Sequence, residues 1–162
     1  VVAVGSVYYS ERLAQAVGAQ DGERAATVSP AASPRPPEGR GTLSVAADAR
    51  GHFLVHPTID NFRIRMLVDT GASLVALTAT DARALGLPIG PGDFRMPLNT
   101  ANGVVKGARV TLREVRLGDI VVRNVEAVVL PAGALSTSLL GTSFLGRLQG
   151  YEVQTGRMVL RG

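Results

Sequence analysis

The segment Met66-Leu67-Val68-Asp69-Thr70-Gly71-Ala72-Ser73 ends an apolar run in a carboxylate and then turns. A carboxylate at the end of a buried strand is held rigidly at the floor of a cleft. Thr70 adds a hydroxyl able to bond a neighbouring copy of the same loop, and Gly71 lets backbone approach without a Cβ. The chemistry that suits this is hydrolysis by water, which needs one carboxylate as base and one carboxyl as acid. Two aspartates a few ångström apart cannot both ionise, so they share a proton and divide those roles. A single aspartate at Asp69 could supply only one half of such a pair. No second Asp-Thr-Gly or Asp-Ser-Gly occurs, and Asp81, Asp93 and Asp119 fall in a helix start or in turns.

Other chemistries find little material. There are no cysteines, which removes disulfide scaffolds, zinc knuckles, iron–sulfur clusters and thiol nucleophiles. His52 and His56 lie in a strand pattern beside Pro57, where four residues span ~13 Å, too far for one ion, so no metal site is expected. Gly141-Thr142-Ser143-Phe144-Leu145 lacks the second glycine of a nucleophile elbow, and no phosphate-binding Gly-x-x-x-x-Gly-Lys loop exists. No cofactor is implied. The net charge of +4 is a modest surplus carried by scattered arginines and does not suggest a nucleic-acid partner.

The elements that must position Asp69 have mostly a period of two. His52–Ile59 reads as a strand, Asp60-Asn61 as a turn, and 62–68 as a second strand running into Asp69. A short helix is expected at 80–85, with Thr78 as cap, Asp81 completing a capping box, and Gly86 and Pro88 as its end. Asn102-Gly103 marks a hairpin between extended segments. Strands follow at 109–117 and 120–130, joined at Gly118-Asp119, then a helix at 142–148 and a last hairpin at Thr155-Gly156. The fold class is all-β with one or two short helices.

These motifs, taken in order, resemble the retropepsin-like aspartic proteases, more narrowly the bacterial single-domain type of alphaproteobacteria. Asp69-Thr70-Gly71 matches the active-site loop, Ala101, Asn102 and Gly103 fall where the flap hairpin belongs, and Leu139-Leu140-Gly141 matches the apolar-apolar-Gly motif before the helix. The resemblance implies a retropepsin-like closed β-barrel or acid-protease half-fold and a twofold homodimer in which each copy gives one Asp69. It implies an aspartic endopeptidase acting on extended peptide, with Ala72, Ser73 and Ala101 to Gly103 lining the substrate. Two positions depart from the retroviral pattern. Thr142 stands where arginine usually follows the glycine, and the glycine-rich flap tip is replaced. The competing reading is a catalytically silent retropepsin-like module for dimerisation or peptide binding, which the intact Asp69-Thr70-Gly71 disfavours.

Residues 1–45 read as a tail and linker ahead of a protease domain at 46–162. Pro30, Pro34, Pro36 and Pro37 sit among Ala, Ser, Gly and charge, a composition that does not repay its ordering entropy. The apolar start, Val1 to Val7, is too short to span a bilayer and reads either as the stump of a removed anchor or signal segment or as an arbitrary starting point. With the family's frequent anchor, this implies a tether on the periplasmic side of a bacterial inner membrane.

Overall fold

The computed structural model describes residues 41–162; the linker and the apolar start of residues 1–40 lie outside them. Its strands are β1 (Thr42–Ala46), β2 (Leu54–Val55), β3 (Thr58–Ile59), β4 (Phe62–Arg63), β5 (Met66–Val68), β6 (Val75–Leu77), β7 (Phe94–Thr100), β8 (Gly103–Leu117), β9 (Ile120–Val129), β10 (Ser138–Leu140), β11 (Gly150–Gln154) and β12 (Arg157–Arg161). Two short helices, α1 (Ala79–Ala84) and α2 (Thr142–Leu145), and a 3-10 turn at Pro91–Asp93 complete it. The all-β expectation with short helices holds.

The strands form two sheets. A nine-stranded sheet runs β2-β5-β10-β6-β9-β8-β3-β4, with β7 added on β8, and a three-stranded sheet runs β1-β12-β11. The main core lies on one face of the large sheet, where Met66, Leu77, Leu112, Leu140 and Phe144 are fully buried. A second, smaller apolar cluster sits on the other face, around Ala76, Val128 and Leu130.

Several elements differ from the sequence reading, each for a physical reason. β1 lies on the tail side of the expected boundary at 45/46, so the folded body starts earlier; Leu43 and Val45 pack on the core while Thr42 and Ser44 stay exposed. The strand expected at 52–59 is two strands, with Pro57 between them. β2 pairs with β5, whereas β3 pairs with β4 and β8. Proline has no N–H to give a ladder, and the chain changes neighbours there. The strand expected at 62–68 likewise breaks at Ile64, whose N–H donates to the Pro57 carbonyl at 2.9 Å. Asp60 and Asn61 both take positive φ, 45° and 75°, as a tight hairpin turn requires.

The helix α1 is capped by Thr78, whose hydroxyl accepts from the Asp81 N–H at 3.1 Å. The second half of the expected capping box is absent. Ser138 Oγ stands between the two residues, accepting from Thr78 N–H at 3.0 Å and donating to Asp81 Oδ2 at 2.5 Å. The hairpin tip is Ala101-Asn102 rather than Asn102-Gly103; Gly103 opens β8 with φ 109°. β8 is one strand from the hairpin tip to Leu117, not two pieces, and its ladder with β9 skips the opposed Arg113 and Asn124 with the register unchanged on either side. The helix expected at 142–148 ends at Leu145.

Candidate active site

The order β5-β10-β6 decides the local geometry. β10 is parallel to β5, with Leu140 beside Val68, and antiparallel to β6. The chain that leaves β5 at Asp69 must therefore arch over the C-terminal end of β10 to reach β6. Gly141 sits under that arch. A Cβ there would lie 2.2 Å from the Leu74 carbonyl oxygen and 2.6 Å from that of Ala72, so no larger residue fits. The Leu139-Leu140-Gly141 motif is thus two strand residues followed by a required vacancy.

Asp69 continues the β5 ladder by one step, its N–H donating to the Leu140 carbonyl at 3.1 Å. Its side chain is half-buried. Oδ1 accepts from the Gly71 N–H at 2.9 Å, and the Asp69 carbonyl accepts from the Ala72 N–H at 3.3 Å. These bonds fix the carboxylate against its own turn and leave Oδ2 outside them. Thr70 and Ser73 are exposed and Ala72 is half-buried. The carbonyls of Ala72 and Ser73 accept from the N–H groups of Thr142 and Ser143 at 2.8 and 3.0 Å.

Side chains alternate across a strand, so Leu67 and Asp69 fall on the face opposite Val68, which packs in the main core. That face carries the second apolar cluster. Leu74, Leu139, Ala134 and Leu135 contribute to it from the body, Met96, Leu98 and Val105 from the β7–β8 hairpin. Leu98 and Val105 face each other across the hairpin. The carboxylate and an apolar wall thus share one side of the sheet, with the hairpin adding to the wall. Neither this wall nor the roles of Thr142 and Ser143 stood out in the sequence. The signal for the first was the pair Leu139-Leu140, apolar on both faces; for the second, two hydroxyl residues following Gly141.

Ala101, Asn102 and Gly103 are all exposed at the hairpin tip. Their bonds are local: Thr100 Oγ1 donates to the Gly103 carbonyl at 2.7 Å and accepts from the Asn102 N–H at 3.3 Å. Within one chain the tip is not tied to the Asp69 loop by any bond among the described residues. The other acids considered in the sequence have separate partners or places. Asp81 bonds Ser138, Asp93 accepts from the Gly90 N–H at 2.7 Å, and Asp119 lies in the β8–β9 turn. Among the described residues no three His, Asp or Glu side chains group as metal ligands.

A family model described as "gag-polyprotein putative aspartyl protease" matches residues 55–147, from β2 through the end of α2. A retropepsin-like aspartic protease from Rickettsia conorii superposes with a TM-score of 0.68 at 35% identity, over 75% of this chain and 91% of that one. This chain belongs to the retropepsin-like aspartic proteases. The protease of EIAV, solved with the inhibitor HBY-793, shares the retropepsin fold at a TM-score of 0.54 and 17% identity, over 68% of this chain and 100% of that one. An uncharacterised protein of Sinorhizobium sp., named for its place in the cobV 5' region, is 41% identical over 124 residues, 76% of this chain and 53% of its own. The chain spans about half the length of the curated relatives it matches. The retropepsin-like half-fold is the architecture that the sequence motifs pointed to.

Proposed function

We propose that this chain is an aspartic endopeptidase that works as a homodimer. Asp69 of each copy meets its twin across a twofold axis, the two carboxyls share one proton, and together they activate water on a peptide carbonyl. The observation that carries this reading is the Asp69 loop itself: an intact Asp-Thr-Gly turn arched over Gly141, in a chain of the retropepsin-like family. Thr70, exposed beside the carboxylate, is positioned to bond the partner's loop. An extended peptide added as a strand over Gly71 would meet Ala72, Ser73 and the apolar wall, with Ala101, Asn102 and Gly103 closing over it.

The three-stranded sheet supports dimerisation. Tyr151 and Val153 pair with Leu160 and Met158, so they share the face of two buried residues, yet they are 40% and 47% exposed. β11 is also an edge strand. An uncovered core face on an open edge is what a second copy covers. Specific activity should therefore fall steeply on dilution; constant specific activity down to a demonstrated monomer overturns the shared site. Cleavage of an unstructured protein at mildly acidic pH by the wild type, and none by Asp69→Ala, is the result expected. Equal cleavage by both, or none from a demonstrated dimer at any pH, removes the protease reading.

We extend the reading to the tail as a tether at a bacterial inner membrane, periplasmic side, supported by the apolar start and the proline-rich linker. No helix among the described residues is long and apolar enough to cross a membrane. Self-trimming between residues 20 and 45 should appear by intact mass in the wild type and not in Asp69→Ala. An N-terminus that stays intact in both over days excludes trimming.

A further inference from the structure

The Asp69 loop is tied to the start of α2 by groups that carry no charge. Besides the two backbone bonds from Thr142 and Ser143, the Val75 N–H donates to Ser143 Oγ at 2.9 Å, and that hydroxyl donates to the Glu126 carbonyl at 2.7 Å. Thr142 Oγ1 lies 3.2 Å from the Ala72 carbonyl oxygen and 3.1 Å from that of Ser73. A hydroxyl has one proton to give. Both carbonyls already accept a backbone N–H, so this proton satisfies no orphaned group. Its effect is geometric: it spans two successive peptide units in the short segment between Asp69 and β6.

We propose that Thr142 is a positioning residue for Asp69. By bridging the Ala72 and Ser73 carbonyls it fixes the turn that aims the carboxylate. Among the described residues no titratable side chain takes part in the tie between Thr142 and these two carbonyls. Ala72 is also the residue whose N–H returns to the Asp69 carbonyl, which links the bridge to the Asp69 backbone through a single residue. The position is the one where the retroviral pattern has arginine. This inference rests on the protease reading.

The test compares the full chain as wild type, Thr142→Val, Thr142→Ala and Thr142→Ser. It measures kcat and KM against pH, the melting temperature, and amide exchange at Gly71 and Ala72. Loss of the hydroxyl in the Val and Ala variants should lower kcat about 3- to 10-fold, with KM within about twofold. The two limbs of the pH profile should stay in place, and the Gly71 and Ala72 amides should exchange faster. Thr142→Ser should recover most of both losses. Wild-type kcat and exchange in the Val and Ala variants overturn the proposal, and so does a kcat loss that tracks the unfolded fraction. A Ser variant as impaired as the Val variant overturns it too. If the wild type cleaves nothing, the protease reading fails, while the exchange comparison still decides whether Thr142 fixes the loop.

Discussion

The Asp69 loop and the β7–β8 hairpin bound the same apolar space and are held in opposite ways. The loop is clamped from below. It donates to the Leu140 carbonyl and accepts from Thr142 and Ser143, residues about seventy positions away, and it crosses Gly141 with no room for a methyl group. Among the described residues the hairpin tip is secured by Thr100 within its own turn, and Val104 next to it is 68% exposed. On the proposed protease reading, the difference separates two tasks. A carboxylate that must meet its twin at a fixed distance needs a preorganised seat. A hairpin that must admit and then cover a peptide needs a rigid root and a free end.

The comparison breaks first at its chemical end. Asp69→Asn keeps an oxygen for the Gly71 N–H but removes the shared proton. Peptide cleavage should fall by about 10³-fold or more, with the melting temperature within about 2 °C of wild type. A variant that retains a tenth of the activity would move the chemistry elsewhere. Next comes the seat. Gly141→Ala pushes a Cβ into the Leu74 and Ala72 carbonyls, and we expect about 2–3 kcal/mol of destabilisation, read as a melting point lower by roughly 10 °C. A shift below about 2 °C would mean the arch yields, and the contrast with the hairpin would be lost.

The hairpin can be tested on its two faces. Leu98 belongs to the apolar cluster and Val104 does not. Leu98→Ser should raise KM about tenfold, on the order of one buried side chain's apolar contact, whereas Val104→Ser should change it less than about twofold. Equal effects would show that the hairpin's inner row is not the substrate side. The smallest effect is in acid. The His52 N–H holds the Asp48 carboxyl below the usual carboxylate range. A carboxyl depressed in the folded state contributes stability that is present above its unfolded pKa and is lost as pH falls through its folded value. Protection of the Arg50 and His52 amides, relative to the intrinsic exchange rate at each pH, should therefore fall as pH drops below about 4, while the Thr142 and Ser143 amides, bonded to carbonyls, keep their protection. Loss of both together would deny the Asp69 seat its neutral character.

The sequence made the chemical part of the site legible because that part is local. Asp69, its turn and the following glycine are adjacent in the chain, and so are Leu139 to Gly141. That one of these segments arches over the other was hidden, since it follows from β10 entering between β5 and β6, a long-range pairing that short patterns do not encode. The apolar wall was hidden for a related reason. Leu98, Leu135 and Leu139 come from three separated elements, and each alone looks like ordinary core. Strand splits at Pro57 and Ile64 reflect changes of partner rather than changes of propensity. β1 was obscured because Thr42–Ala46 directly follows the proline-rich linker, and its alternation has meaning only against β12.

The pairing of β1 with β12 has a mechanical consequence. Thr42 lies opposite Arg161, and the Gly162 N–H donates to the Gly41 carbonyl at 2.8 Å, so the chain enters and leaves the folded body at one corner. A pull applied between residues 41 and 162 loads this ladder at its end and opens it as a zipper, one rung after another, instead of shearing all rungs together. Force that reaches the body through residue 41 would peel away β1 first and uncover Met158 and Leu160, long before it disturbed Asp69.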